Sequence, residues 1–123
     1  MAAPNLLSPT TITGKTVTVN LTTTSATSVL SNAASSGKAL KVNSLYVANT
    51  TASAANITIN QYSAAALGGT ASPIASTIAV PGNATLVVID KDAYVYLEEN
   101  TSLGATAATS SALQIVCSYE DIS

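Results

Sequence analysis

The residues that first suggest chemistry lie in one stretch, "KDAYVYLEENTSL" at positions 91–103. It contains two tyrosines two residues apart and two adjacent glutamates, in a chain with six acidic residues. Two carboxyl groups roughly 5 to 10 Å apart across a cleft suffice for glycoside hydrolysis. Glu98 and Glu99 are neighbours, however, and adjacent side chains at a strand end point to opposite faces. We therefore do not expect them to form a catalytic pair.

The chain has no histidine, which removes the usual general base, the imidazole metal ligand and the Ser-His-Asp and Cys-His arrangements. Its single cysteine, Cys117, shares the alternation of Leu113 and Ile115, which predicts a buried thiol rather than a nucleophile. The sequence predicts a protein that is not an enzyme and that has no catalytic residue, cofactor or metal.

Three acidic side chains, Asp90, Asp92 and Glu98, offer the oxygen ligands that Ca²⁺ prefers, but their spacing matches no established loop. The dipeptide "KD" at 91–92, between two apolar runs, is better interpreted as the solvated tip of a hairpin.

Tyr94 and Tyr96 fall on the same face of a predicted strand. Two exposed tyrosines on one face can stack on sugar rings, or they can pack against a neighbouring subunit. Because the chain has no tryptophan and few aromatic residues, we favour packing and keep sugar binding as the alternative.

Composition limits the partners. Only 8% of the residues are charged, the net charge is −2 and there is no arginine, so the chain cannot follow a phosphate backbone. No segment approaches the roughly 20 apolar residues of a membrane span, and the first residues lack the basic and apolar regions of a secretory signal. We expect no nucleic acid and no membrane as partners, and synthesis in a cytoplasm.

Residues 1–11 contain two prolines and no strand periodicity, which predicts an extended N-terminal arm. Leu6 and Leu7 are its bulky apolar side chains. With Ile12 they form the predicted contact with a shell or another subunit, and a particle should no longer bind the domain when residues 1–11 are deleted.

From residue 12 onward, apolar and polar residues alternate in short segments rich in Val, Ile and Thr. In residues 39–49 the phase slips near Asn43 and Ser44, which indicates burial on both faces or a β-bulge. Residues 63–73 are predicted to form a surface loop, residues 81–83 a turn with positive φ at Gly82, and residues 86–89 a strand buried on both faces.

About eight short strands with turn signals every eight to twelve residues are typical of an antiparallel sandwich or barrel. We predict an all-β fold in which residues 12–123 form one two-sheet β-sandwich domain, with jelly-roll or similar Greek-key topology. The order of the strands stays open.

Four segments carry a resemblance to a known group of proteins: "MAAPN...TITGKT", "SGKALKVNSLYVAN", "YLEENTSL" and "LQIVCSYEDIS". The chain resembles small virion structural proteins of tailed bacteriophages, especially those of cyanophages. In such proteins the acidic turn often contains glycine; here Asn100 stands in its place, and asparagine also accepts the left-handed conformation. The resemblance implies a β-sandwich present in many copies on a particle.

The resemblance implies a non-enzymatic virion structural protein, assembled in the host cytoplasm, and the composition agrees with a structural role. Its predicted role is capsid decoration or cement: a small homo-oligomer, such as a trimer, that docks on the major capsid protein or another virion protein. The alternative is a neck, tail or fibre component that acts as a carbohydrate-binding or host-adhesion module. A pilin-like subunit completed by a donated strand is a third possibility. The predicted interface residues are Leu6, Leu7, Ile12, Tyr94 and Tyr96.

Overall fold

Two antiparallel β-sheets form the fold in the computed structural model, which describes residues 4–123. The strands are β1 (Ile12–Asn20), β2 (Thr27–Asn32), β3 (Ala39–Asn49), β4 (Ala55–Ala64), β5 (Gly68–Val80), β6 (Thr85–Ile89), β7 (Val95–Leu97), β8 (Thr101–Ala107) and β9 (Leu113–Ile122). One turn of 3₁₀ helix, Lys91–Ala93, lies between β6 and β7. Within these residues, no helix is long and apolar enough to cross a membrane.

The order of the strands is that of a jelly roll. Sheet A runs β1-β9-β3-β6, with β7 also paired to β3, and sheet B runs β2-β8-β4-β5. The chain crosses between the sheets so that the first strand pairs with the last, as two nested Greek keys require. The predicted all-β sandwich with jelly-roll topology is confirmed.

The ninth strand arises because one strand of the jelly roll is split. Both β6 and β7 pair with β3, through Leu45 to Ala48 and Leu40 to Val42 respectively, and they run in the same direction. The predicted "KD" hairpin tip is therefore wrong: the 3₁₀ turn interrupts one strand rather than reversing it. Asp90 stabilises this turn, since its Oδ1 accepts hydrogen bonds from the backbone N–H groups of Asp92 and Ala93, both at 3.0 Å.

The split in that strand lies opposite the predicted phase slip in β3. The register between β3 and β9 shifts between Val42 and Ser44, which confirms the β-bulge. A bulge adds one residue to one strand and bends it. The bulge turns Val42 and Leu45 both to the interior, where both are fully buried.

The core lies between the two sheets and consists of the inward side chains of alternating residues. Its largest fully buried members are Leu21, Val42, Leu45, Val47, Ile57, Ile59, Val80, Ile89, Leu97, Leu103, Leu113 and Ile115. Cys117 is also fully buried among them, as predicted. The prediction that residues 86–89 are buried on both faces is wrong, because Val87 is half exposed on the outer face of sheet A.

The predicted surface loop over residues 63–73 is also wrong. The chain forms a tight hairpin there: β4 continues to Ala64 and β5 begins at Gly68. β5 is an edge strand with irregular register, so it accepts Pro73, which donates no backbone hydrogen bond.

The turn at residues 81–83 exists, but its positive φ falls on Asn83 (56°) rather than on Gly82. Gly82 is required for a different reason: a Cβ atom there would overlap the backbone carbonyl of Ala52.

The predicted arm is described from residue 4 onward, and residues 1–3 lie outside the described residues. It is not extended throughout, because Asn5 closes a turn: its Oδ1 accepts from Leu7 N (3.0 Å) and its carbonyl accepts from Ser8 N (3.1 Å). The arm is then tied to the end of β9, since Thr11 and Ser123 exchange backbone hydrogen bonds of 3.0 and 2.8 Å.

Candidate functional site

The outer face of sheet A carries most of the exposed apolar surface in the described part of the chain. Six of the ten large apolar side chains that are exposed there lie on this face, and the other four lie on the arm and on β5. The six are Ile12, Tyr46, Val87, Tyr94, Tyr96 and Val116. Clustered exposed apolar side chains on a sheet indicate an interaction surface more strongly than scattered ones.

The register of the strands arranges these side chains in rows. Tyr46 lies opposite Val116 on β9 and opposite Val87 on β6, so the three form one row across the middle of the sheet. Tyr96 lies opposite Lys41, which lies opposite Glu120, in a second row at the end of the sheet where β1 begins. Directly paired residues point to the same face, which places both rows on one surface.

The two tyrosines predicted as interface residues do lie together. The ring centroids of Tyr94 and Tyr96 are 5.6 Å apart with an interplanar angle of 89°, an edge-to-face contact. Lys41 Nζ lies 4.5 Å from the centroid of the Tyr94 ring, in cation–π geometry. Two perpendicular rings, one of them already covered by an ammonium group, do not make the flat platform that stacks on a sugar. The geometry therefore favours packing over sugar binding.

Lys41 and Glu120 lie beside the Tyr94–Tyr96 pair and form its polar border. Lys41 Nζ lies 3.8 Å from Glu120 Oε2, and the same oxygen accepts a hydrogen bond of 3.2 Å from Asn43 Nδ2. This arrangement is not visible in the sequence, because it brings together residues about 80 positions apart. Only knowledge that β3 pairs with β9 would reveal that Lys41 lies opposite Glu120.

Glu98 and Glu99 lie in the turn between β7 and β8 and do not face a common cleft. Asn100 has φ 59°, which confirms that asparagine takes the left-handed position expected for glycine. Thr101 Oγ1 donates to the carbonyl of Glu98 at 2.7 Å, and Asn100 Oδ1 accepts from Ala65 N at 3.1 Å. The turn therefore serves to hold the β4–β5 hairpin.

The acidic residues considered for Ca²⁺ do not gather in one place. Within residues 4–123, no group of three or more His, Cys, Asp or Glu side chains is placed to hold a metal ion. Asp90 and Asp92 instead border an open depression of about 540 Å³ beside the β3 bulge. Tyr46, Asn43 and Ser118 line its other side.

A second charged cluster lies at the end of the sandwich where the chain termini meet. Asp121 Oδ2 accepts hydrogen bonds from Lys15 Nζ and Lys38 Nζ, both at 3.2 Å. Burial alone would raise the pKa of Asp121, but the hydrogen bonds from Lys38 and Lys15 outweigh it and hold the pKa below its ordinary value. This cluster links β1 and β9 to the start of β3, a structural role that the sequence does not predict.

The remaining predicted interface residues are exposed. Leu7 has 95% of its surface accessible, and Leu6 and Ile12 are each about half exposed. Ile12 begins β1 and shares the end of sheet A with the Tyr94–Tyr96 pair. The structure thus places three of the five predicted residues on one face, and Leu6 and Leu7 on the arm that leads into it.

Comparisons with known proteins give a fold but no family. No protein-family model matches the chain, and no curated protein matches it. One solved structure does, from work on Bacillus endospore appendages described as a novel family of disulfide-linked pili. The alignment covers 92% of this chain and 88% of that chain, with 16% sequence identity and a TM-score of 0.52. The resemblance to phage virion proteins stays a prediction, and this chain is similar in fold to a protein of Bacillus endospore appendages.

Proposed function

We propose that this protein is a non-enzymatic structural subunit that works in many copies, as a decoration or cement protein on a virus capsid. The observation that carries the proposal is the apolar outer face of sheet A, whose rows of exposed side chains suit a docking surface. The fold shared with an appendage protein supports the general structural role, because a β-sandwich of this kind is used there in an assembly.

The disulfide linkage described for the structural neighbour is not expected for this chain. The appendage protein is described as disulfide-linked, whereas Cys117 of this chain is fully buried in the core. Burial raises the pKa of the Cys117 thiol to about 12, so it is neither accessible nor ionised for exchange at neutral pH. Subunits of this protein are therefore expected to associate through non-covalent contacts.

The outer face is tested by a pair of charged substitutions with a matched control. Tyr46 and Val116 are 39% and 38% exposed on the outer face, and Ile78 and Ile74 are 39% and 38% exposed on β5 of the other sheet. We expect Tyr46→Lys with Val116→Lys to abolish binding to particles, because it places two charges in the docking surface. Ile78→Lys with Ile74→Lys should bind normally. Equal binding of both variants would contradict the proposal.

The measurement is the number of copies on virions produced from a genome that encodes the chain, determined by quantitative mass spectrometry. A copy number comparable to that of the major capsid protein supports decoration, and one that fits a single ring supports a neck or tail role. Absence from purified virions would overturn the assignment to a particle.

The arm is tested separately. Deleting residues 1–9 leaves the hydrogen bonds of Thr10 and Thr11 to Ser123 intact and removes Leu6 and Leu7. We expect a folded domain with weakened particle binding, measured by co-sedimentation. Full retention of binding would show that the arm plays no part in docking.

A further inference from the structure

Each sheet of the sandwich has two edges, and an unprotected edge strand is a template for pairing with another chain. Three of these edges are protected within residues 4–123. β5 contains Pro73 and three register shifts, β2 has a shift between Ser28 and Leu30, and the β6–β7 edge is interrupted by the 3₁₀ turn. β1 differs from all of them: it has nine residues, no proline and an unbroken register with β9.

The hydrogen bonds at the two ends of β1 show which of its backbone groups face outward. Thr11 exchanges backbone hydrogen bonds with Ser123, and Leu21 N donates to the carbonyl of Leu113. In an antiparallel pair, alternate residues bond to the partner and the others point away from it. The odd-numbered residues of β1 therefore bond to β9. The outward set consists of Ile12, Gly14, Thr16, Thr18 and Asn20.

We propose that two copies of this chain join through their β1 strands, antiparallel about a two-fold axis at Thr16, so that sheet A continues from one copy into the other. The inference rests on the proposed structural role, and it names an interface through which two subunits associate. It leaves the arm and the outer face of sheet A free to dock on a particle.

The register follows from the positions of the outward groups. Full overlap of β1 with a second β1 places Thr16 opposite Thr16, Gly14 opposite Thr18 and Ile12 opposite Asn20. Every one of these pairs joins two outward residues, so the register with the greatest overlap also satisfies all the free backbone groups. Five pairs that exchange two hydrogen bonds each give about ten hydrogen bonds between the copies.

The side chains of β1 do not oppose this pairing. Thr16 meets its own copy on the outer face, a favourable cross-strand pair, and Gly14 leaves room for Thr18. Lys15 is the single charged residue of the strand, and an inward-pointing lysine can protect an edge. Here its ammonium group is already held by Asp121 at 3.2 Å within the same subunit, so it does not keep a second strand away.

The pairing is tested by sedimentation equilibrium of the wild-type protein and two lysine variants. Thr16→Lys places two like charges opposite each other on the axis, so we expect at least a tenfold weaker dimer. Thr85→Lys is the matched control, because Thr85 is an exposed threonine on the other edge of sheet A. We expect it to dimerise as the wild type does, and thermal unfolding should show that both variants fold.

The register is tested by oxidative cross-linking. The Cα atoms of a hydrogen-bonded antiparallel pair lie about 5.5 Å apart, within the range of a disulfide. Thr16→Cys should give a covalent dimer, and Thr18→Cys should not, because it faces Gly14 of the other copy. The buried Cys117 does not compete in this reaction.

A wild-type protein that is monomeric at every concentration, an undisturbed Thr16→Lys dimer, or equal cross-linking of the two cysteine variants would each overturn the β1 interface. Such a result leaves the proposed function standing if the protein is found on virions. Absence from virions, with the β1 dimer intact, would instead overturn the proposed function alone.

Discussion

At the scale of single residues, Asp121 is the charged residue that forms the most salt bridges in the described part of the chain. Its carboxylate holds two ammonium groups from different parts of the sequence and is itself largely buried. A carboxylate in this position contributes to stability only while it is ionised, because protonation removes the attraction to both lysines.

The stability of the protein should therefore depend on pH through Asp121. Its folded-state pKa lies below the unfolded value of about 3.9, so its contribution is complete above that value and is lost as the pH falls through the folded-state pKa. Asp121→Asn should lower the free energy of unfolding at pH 7 by roughly 1 to 3 kcal/mol and flatten the decline in acid. Urea unfolding from pH 7 to pH 2 measures both effects.

The control for this prediction is Glu120→Gln, which changes the adjacent and more exposed carboxylate. We expect a loss of at most about 1 kcal/mol, as is usual for surface ion pairs. If Asp121→Asn kept the acid dependence of the wild type, another carboxylate would have to be responsible for it.

Buried amides are a residue-scale feature that the sequence could not reveal. Asn49 is almost fully buried, its Nδ2 donates to the carbonyls of Ser53 and Val80, and its Oδ1 accepts from Thr51. Asn32 makes a similar set of bonds to the carbonyls of Lys38 and Leu97. The alternation of apolar and polar residues correctly predicts that Cys117 is buried. It places asparagine in turns or on surfaces, because the hydrogen-bond partners of a buried asparagine are determined only by the tertiary fold.

At the scale of elements, the β4–β5 hairpin is unusual. Its central residues Ala66 and Leu67 both have positive φ (56° and 62°), as in type I′ turns, which normally use Asn-Gly. Side-chain oxygens of Asn100, Ser31 and Ser102 accept hydrogen bonds from the backbone N–H groups of residues 65 to 67. These external contacts hold in place a turn that its own sequence does not favour.

Relieving this strain should stabilise the protein. Ala66→Asn is expected to raise the free energy of unfolding by up to about 1 kcal/mol, because asparagine accepts positive φ more readily than alanine. Ala65→Asn is the matched control, since residue 65 does not have positive φ, and it should give no gain. Thermal unfolding of the two variants beside the wild type measures the difference; a gain from the control alone would contradict the explanation.

The same hairpin shows why some elements were predicted and others were not. The β3 bulge was predicted because apolar residues on both sides of it kept a clear alternation. Two glycines and a proline in residues 63–73 predict a loop, yet the side chains that hold the observed turn come from distant strands. The prediction of a hairpin at "KD" is wrong for a related reason, because only the pairing of β6 and β7 with β3 distinguishes an interrupted strand from a hairpin.

At the scale of the whole molecule, Cys117 can report on opening of the sandwich. It lies in the middle of sheet A, between β1 and β3, and is fully buried. With its pKa raised to about 12, the thiol should not react with a chromogenic disulfide reagent at pH 8 while the protein is folded. Its reaction rate should rise in urea in parallel with global unfolding.

A cysteine introduced at the exposed Thr85, outside the proposed β1 interface, serves as the control and should react at once in the folded state. Rapid reaction of Cys117 in the native protein would show that the sheets separate locally, contrary to the packed core described above.

The architecture could be predicted from alternation and turn spacing, because these features belong to each strand by itself. The strand order and the outer face of sheet A could not, because they depend on which distant strands pair. Among the predicted interface residues, the spacing of two residues between Tyr94 and Tyr96 correctly predicts that their side chains lie together. Tyr46 and Val116 were missed, since each looks like an ordinary outward residue until β3 and β9 lie side by side.

The pairing of β1 with β9 also determines when sheet A can form during translation. The chain is made from the N-terminus, so β1 emerges from the ribosome about 100 residues before the strand with which it pairs. During that interval both edges of β1 are unpaired. The β1–β9 pairing that completes sheet A joins the residues farthest apart in the sequence of all its strand pairs. Sheet A can therefore be completed only after translation of β9, and a nascent chain halted before that strand would expose β1 to chaperones.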